Sequence, residues 1–172
     1  MIEPTDKIGN ITLYNADCME VMKTFKDKQF DLAIVDPPFG INIEQRIYKD
    51  NKKWDEEAPS LEYFLELFRV SKNQIIWGGN YFTEYLKPTK SWIIWDKKMS
   101  HNENFSHAEM AWVSLKSITR LISHSATGTA DKKIHPTQKP IKLYAWILKN
   151  YAKKGERILD THFGSLSIGI AC

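Results

Sequence analysis

The sequence predicts an α/β fold, and three observations carry that prediction. Phe30-Asp31-Leu32-Ala33-Ile34-Val35 is a short apolar run of the kind that forms a buried strand, and it stops at Asp36-Pro37-Pro38. Gln74-Ile75-Ile76-Trp77 and Trp92-Ile93-Ile94-Trp95 are further runs, closed by Gly78-Gly79 and by Asp96-Lys97-Lys98. Helical spacings lie among them, and Arg157-Ile158-Leu159-Asp160 leads through a glycine turn towards a last helix. Strands and helical patterns interspersed in this way fold as an α/β sheet.

The remaining elements follow in chain order. Ile11-Thr12-Leu13-Tyr14 reads as a short strand; Cys18, Val21, Met22 and Phe25 then recur at helical spacing over about residues 18–26. Asp17 at that junction suits an N-cap. Residues 41–60 are polar, charged and aperiodic, either a loop able to close over a ligand or a disordered connection. From Ser60 a helix follows with Leu61, Phe64, Leu65 and Phe68 as its expected buried stripe. Glu109-Met110-Ala111-Trp112-Val113 is expected to pair antiparallel with the strand at Trp92. Pro140 suits a first helical position, with Leu143, Trp146, Ile147 and Tyr151 as the stripe and Gly155 as the C′ residue. Ser167 to Cys172 begins another helix.

At 172 residues, with 42% hydrophobic and 12% aromatic content, the chain has the size and apolar content of one domain with its own core. No apolar run approaches membrane-spanning length, and Met1 to Asn10 lacks a signal-peptide core. Cys18 and Cys172 make neither a disulfide framework nor a zinc site, and His101, His107, His124 and His135 show no metal-ligand spacing. These features fit a cytoplasmic setting without a membrane partner. A net charge of +3 is compatible with nucleic acid without pointing to it. The lysines do cluster, at Lys49, Lys52 and Lys53, at Lys97 and Lys98, and at Lys132, Lys133, Lys139 and Lys142. They are either solvated faces or phosphate contacts beside the functional edge.

The turn after Val35 is the most informative stretch. Neither proline can donate a ladder hydrogen bond, so the chain leaves the sheet rigidly with the Asp36 carboxylate, Pro37 carbonyl and Phe39 ring in fixed relation. The carboxyl ends of strands are where α/β sheets bind ligands. An exocyclic amine of a nucleobase is a poor nucleophile because its lone pair is delocalised. Two acceptors on its N–H bonds draw it towards tetrahedral geometry, while an aromatic ring stacks a base taken out of the duplex. The plainer reading, a strand-ending turn with an N-cap Asp, stands equal to it on these residues alone.

Asp36-Pro37-Pro38-Phe39 resembles the catalytic tetrapeptide of the DNA amino-methyltransferases, which transfer methyl from S-adenosylmethionine to adenine N6 or cytosine N4. Three later segments resemble the same family in the order of its permuted beta group. They are Ile75-Ile76-Trp77-Gly78-Gly79-Asn80-Tyr81-Phe82, His135-Pro136-Thr137-Gln138-Lys139-Pro140, and Ile158-Leu159-Asp160-Thr161-His162-Phe163-Gly164-Ser165. Together they span nearly the whole chain, and the small phage-type enzymes are the nearest in pattern. The resemblance implies a Rossmann-like methyltransferase sheet in permuted order. It implies that Asp36, Pro37, Pro38 and Phe39 are catalytic and that Asp17, Thr137, Gln138, Lys139, Asp160, Phe163, Gly164 and Ser165 bind the cofactor. For Asp17 the helix-cap role is favoured over binding. The strand–turn–helix pattern at Asp160 by itself suits a nicotinamide or nucleotide equally well, and it is the resemblance that selects S-adenosylmethionine.

Two departures from the family pattern bear on these expectations. Where the family has Gly-Ser-Gly this chain has Gly164-Ser165-Leu166, and a leucine crowds that turn unless it keeps φ negative. The sequence also stops six residues after Leu166, so the final strand or strands and a ribose-binding acid are expected to be missing and the catalytic domain, residues 1–172, incomplete. Residues 115–133, with Arg120 and His124, are the short candidate for a target-recognition insert. The expected function is adenine-N6 methylation of double-stranded DNA within restriction–modification, with Asp at position 36 leaning to adenine by resemblance. Cytosine-N4 methylation, or a truncated, inactive remnant that binds DNA weakly, are the alternatives. A homodimer is the assembly to consider, and no metal is expected.

Overall fold

The computed structural model describes residues 2–42, 55–99, 106–125 and 138–172. The sheet grows in both directions from β3 (Phe30–Val35), whose burial on both sides follows from its apolar run. It pairs in parallel with β4 (Ser71–Trp77), Val35 opposite Ile76, and with the short β8 (Ile158–Leu159), Leu32 opposite Ile158. Beyond β4 lies β6 (Ala108–Val113), antiparallel, with Trp77 opposite Ala111. The antiparallel partner of β6 is β5 (Trp92–Asp96), and β7 (Arg120–Ser123) closes the edge parallel to β5. Edge to edge the order is β7-β5-β6-β4-β3-β8. Because β6 alone runs backwards, its first residues reach the edge where β3, β4, β5 and β8 end.

Helices cover both faces. On one, Met22 of α1 (Cys18–Lys23) and Tyr63, Phe64, Leu67 and Val70 of α2 (Leu61–Val70) pack with Ala33, Val35, Ile76 and Trp112. On the other, Leu143, Tyr144 and Ile147 of α3 (Ile141–Tyr151) and Ile168 of α4 (Ser167–Ala171) meet Leu32, Ile34, Ile75, Trp77, Ile93 and Val113. The alternation of β3, with Leu32 and Ile34 to one side and Ala33 and Val35 to the other, is the period-two pattern of a two-sided strand. Among the described residues no helix is long and apolar enough to cross a membrane.

Several expectations need correction. Ile11–Leu13 is a strand, β2, but it pairs with β1 (Asp6–Ile8) in a separate two-stranded hairpin and not with the main sheet. The first helix ends at Lys23, three residues early, because Thr24 caps it through Val21 and Met22 carbonyls. In α2 the stripe is Tyr63, Phe64, Leu67 and Val70, while Leu61 and Leu65 are 46% and 57% exposed. Both stripes have helical spacing, and contact with α1 and the sheet selects the second. Strand β4 begins at Ser71, directly after α2. Pro140 caps α3 from outside, and α3 closes at Ala152, so Gly155 (φ +87°) serves the following turn and not the helix end. Leu166 takes φ +63°, the left-handed conformation that the turn requires and that leucine disfavours. Residues 120–123 of the 115–133 stretch join the main sheet as β7, and 126–133 lie outside the described residues, as does most of the 41–60 loop.

Arg69, in the last turn of α2, ties the two helices of one face together. Its Nη1 donates to the Phe25 carbonyl and its Nη2 to the Met22 carbonyl, both at 2.9 Å, while Glu66 takes Nε and Nη2. Lysine cannot reproduce this planar fork. Arg69→Lys is expected to lower unfolding free energy by about 1–2 kcal/mol, allowing for the partial exposure of the side chain. Urea denaturation of the two proteins measures it, and an unchanged midpoint would show the fork to be redundant.

Candidate active site

The functional edge is assembled where β3, β4, β5 and β8 end and β6 begins. Asp36-Pro37-Pro38-Phe39 leaves β3 there, and the turn is stapled by Asp55. Its Oδ1 accepts from the Phe39 N–H at 2.6 Å and the Gly40 N–H at 3.1 Å, and Asp55 is only 1% exposed. Sequence reasoning missed this residue, since a single Asp in a charged loop gives no signal.

The Phe39 ring lies against the backbone of Gly78 at the end of β4. A Cβ added to Gly78 would sit 2.3 Å from Phe39 Cε1, and Gly78 holds φ +68°. Here glycine serves both close approach and left-handed backbone. Tyr81 stacks on Phe39 at 5.1 Å between centroids and 19° between planes, and Phe82 meets it edge-on.

Lys139 is the unexpected member. Its side chain is 4% exposed, and Nζ donates to Asp36 Oδ2 at 2.5 Å and lies 3.0 Å from Glu109 Oε2. The ammonium also lies 5.1 Å from the Trp77 ring centroid and 5.8 Å from that of Phe39. Glu109 Oε1 in turn takes Lys97 Nζ at 2.6 Å. The result is a chain of alternating charge: Asp36, Lys139, Glu109, Lys97. Lys139 and Lys97 are therefore turned inward, and neither fits the alternatives of a solvated face or a phosphate contact. Lys49, Lys52, Lys53, Lys132 and Lys133 lie outside the described residues. Burial pushes the Asp36 carboxyl up, opposed by the Lys139 ammonium and reinforced by Glu109. The Lys139 ammonium is held above its ordinary value: Asp36 and Glu109 outweigh the burial that opposes its charge.

The second half of the site follows β8. Asp160 Oδ1 accepts from the His162 N–H at 2.9 Å, and among the described residues no Lys or Arg forms an ion pair with it. Burial, with Asp36 adding to it, raises Asp160 to about 7. His162 is pushed down to about 4 by burial, so it is neutral at pH 7. Thr161 Oγ1 joins the Tyr63 hydroxyl at 2.7 Å and His162 Nδ1 at 2.9 Å, fixing this turn to α2. Phe163 packs on Gly169 of α4, where an added Cβ would lie 2.6 Å from its ring.

A cavity of about 430 Å³ joins the two halves. It is within the ligand-pocket range of about 300–1,000 Å³. Asp36, Pro37, Pro38 and Phe39 line it, and so do Gln138, Lys139, Asp160, Phe163, Gly164 and Ser165. Asp17 does not line it; Oδ1 of Asp17 caps α1 by accepting from the Met19 N–H at 2.8 Å. Thr137 lies outside the described residues. His162, Asp55 and Tyr144 line the cavity without having been expected.

Sheet, helices and a cavity at the strand ends with an acid on each side define a methyltransferase-type α/β domain. The DNA methylase family model matches residues 71–172, and the chain belongs to that family, the N6/N4 DNA amino-methyltransferases. The chain is 26% identical over 224 aligned residues to Type II methyltransferase M2.MboI of Moraxella bovis, spanning 98% of this chain and 80% of that protein. It is 22% identical to Type II methyltransferase M.HpaI of Haemophilus parainfluenzae, over 91% of this chain and 65% of that one. Among solved structures it resembles the M1.HpyAVI–SAM complex, with TM-score 0.61, 22% identity, and 92% and 85% of the two chains covered. It also resembles the PvuII DNA methyltransferase (cytosine-N4-specific), with TM-score 0.67, 13% identity, and 98% and 80% covered. These two likenesses establish the fold.

Two outcomes test the geometry. Gly78→Ala combines a left-handed alanine with a clash against Phe39, and a loss of about 2–4 kcal/mol is expected in denaturant unfolding. Asp160 is an acid whose folded value, about 7, lies above its ordinary 3.8. Its contribution is therefore fully present below about pH 4 and lost as pH rises through 7. Asp160→Asn should leave Tm unchanged at pH 4 and raise it at pH 8. A Tm gain equal at both values would overturn the burial of this charge.

Proposed function

We propose that this chain methylates adenine N6 in double-stranded DNA, with S-adenosylmethionine as methyl donor. The observation that supports it best is the single cavity with Asp36 on one side and, on the other, a half-buried Asp160 that has no ion-pair partner among the described residues. S-adenosylmethionine supplies an electrophilic methyl on a cationic sulfur. Asp160 would be the anionic partner for the cationic end of this donor, and a carboxyl raised by burial despite the His162 N–H and the Lys139 charge fits that role. The Gly164–Ser165 backbone receives the carboxylate end. His162, neutral, adds no positive charge beside a sulfonium.

On the acceptor side, Lys139 holds Asp36 Oδ2, which leaves Oδ1 to accept one amine N–H while the Pro37 carbonyl accepts the other. The nitrogen lone pair would then face the methyl carbon; as the N–C bond formed the donor's S–C bond would break, S-adenosylhomocysteine would leave and one amine proton would pass to solvent, with positioning supplying much of the catalysis. The positive charge that grows on nitrogen is met by the Asp36 carboxylate. Phe39, braced by Tyr81, is the aromatic ring that lines the cavity beside Asp36 and would meet the flipped base.

Adenine is preferred because Asp occupies position 36 in Asp-Pro-Pro-Phe. Cytosine N4 is kept as the second reading because the PvuII enzyme, a fold neighbour, is cytosine-N4-specific. Incubating the chain with DNA and methyl-labelled donor, then separating the nucleosides, distinguishes them: N6-methyladenine is expected, and N4-methylcytosine as main product would overturn the base assignment. Asp36→Ala should abolish incorporation while leaving donor affinity within a few-fold. Residual activity above about a tenth, little more than 1.4 kcal/mol of barrier, would remove Asp36 from the mechanism.

A further inference from the structure

We propose that Glu109 is a positioning residue for the methyl-transfer reaction, acting on Asp36 through the ammonium of Lys139 that the two carboxylates share. The inference rests on Asp36 being the amine acceptor, as proposed above. Its starting point is a geometric fact: a lysine with 4% exposure lies 2.5 Å from one carboxylate and 3.0 Å from another.

An ammonium committed wholly to Asp36 would neutralise the charge that the amine needs. It would also place a fixed cation beside a nitrogen that is itself becoming positive. Glu109 prevents both. By taking a share of Lys139 it leaves the Asp36–Lys139–Glu109 group with one net negative charge at the strand ends. Lys97, at 2.6 Å from the other Glu109 oxygen, sets how large that share is. The more Lys97 occupies Glu109, the more Lys139 is released to Asp36. The ring faces of Trp77 and Phe39 limit where the ammonium can move. Lys139 thus also fixes the rotamer of Asp36, since one carboxylate oxygen is anchored and the other turned to the amine.

The groups that act on the Asp36 carboxyl are Lys139, Glu109 and Lys97, and Asp160, Tyr63 and Tyr144 are coupled to it across the cavity. Among the first three the signs are opposite: Glu109 raises Asp36, whereas Lys139 and Lys97 lower it. Two substitutions that flank the same lysine should therefore move Asp36 in opposite directions. Glu109→Gln removes a raising charge and frees Lys139 for Asp36, so the Asp36 midpoint falls. Lys97→Met removes a lowering charge and lets Glu109 draw Lys139 away, so the midpoint rises. Loss of either charge gives these signs by Coulomb's law alone, so a positioning role is read from the fall in kcat at unchanged donor Kd that accompanies them.

The test is the pH titration of the Asp36 carboxyl carbon by ¹³C NMR in the wild-type chain and the two variants. Asp36→Ala identifies the resonance, and thermal denaturation confirms that each variant is folded. Where turnover is measurable, the acid limb of kcat/KM for DNA should move the same way, and Glu109→Gln should lower kcat by at least about ten-fold. Its donor Kd, by calorimetry with S-adenosylmethionine, should stay within about three-fold. Opposite midpoint shifts together with the kcat loss of Glu109→Gln at unchanged donor Kd support the proposal, and wild-type kcat in Glu109→Gln overturns it. Unmoved midpoints, or shifts of the same sign, overturn it. If Glu109→Gln does not fold, the Lys97→Met shift decides alone, upward in support and absent or downward against. Full activity in Asp36→Ala would instead remove the underlying acceptor reading, an outcome distinct from an Asp36 that is essential but indifferent to Glu109.

Discussion

The functional edge depends on one buried ammonium. Lys139 is separated in sequence from Asp36 by 103 positions, and its second partner comes from a strand that runs against its neighbours. Taking an ammonium out of water costs several kcal/mol, and only close carboxylates with good geometry offset that cost. The offset therefore exists only when β3, β4 and β6 are in register, Val35 opposite Ile76 and Trp77 opposite Ala111. A slip of β6 by one residue would turn Glu109 to the other face of the sheet. The pair Lys139–Asp36 would then remain without the second carboxylate, and the strand register would be felt directly at the reacting group. Sheet pairing and site electrostatics are in this sense one constraint.

This dependence explains what could be read from sequence and what could not. The Asp36-Pro37-Pro38-Phe39 turn was legible because its rigidity is covalent and local: two prolines end a strand wherever it lies. The order of β3, β4 and β8 and the strand–turn–helix at Asp160 were legible for similar reasons, each being a run of a few residues with its own stop signal. Glu109, Lys97 and Asp55 were not. Each is a single charged residue at the margin of an element, the position where solvated charges are ordinarily found. Their role comes from partners supplied by other elements. Lys139 was assigned to the cofactor by resemblance of its segment, whereas its ammonium lies on Asp36. The stripe of α2 illustrates the same limit. Leu61, Phe64, Leu65 and Phe68 and the observed Tyr63, Phe64, Leu67 and Val70 both satisfy helical periodicity. The polar end of Tyr63 gave no reason to bury it, until its hydroxyl found Thr161.

Leu166 shows a different kind of conflict, between residue and backbone. At φ +63° it carries a penalty of about 1–2 kcal/mol that glycine would escape. The conformation persists because its surroundings over-determine it. The Leu166 N–H donates to the Phe163 carbonyl at 2.9 Å, and the Phe163 ring is seated on Gly169 one turn into α4. Releasing the strain would unseat Phe163 and move the turn that carries Asp160. The strain is thus held between Ser165 and Ser167, two residues that line the cavity.

The two acids of the cavity complete the argument. Both are pushed up by burial, but they are balanced differently: Asp36 has Lys139 in direct contact against it, whereas Asp160 has the backbone N–H of His162 and only the more distant charge of Lys139. Asp36 itself adds to the shift at Asp160. Near neutral pH Asp160 therefore stands between its two protonation states until a cation arrives, and a cation would fix it as the carboxylate. Binding a cationic donor at Asp160 also places positive charge across the cavity from Asp36, which lowers the cost of keeping Asp36 ionised. On the proposed reading, the donor half would thus prepare the acceptor half electrostatically. The neutral His162 and the occupied Lys139 suit the same proposal, since neither would bring a free positive charge to the space where a donor's cation and the growing charge on nitrogen would meet.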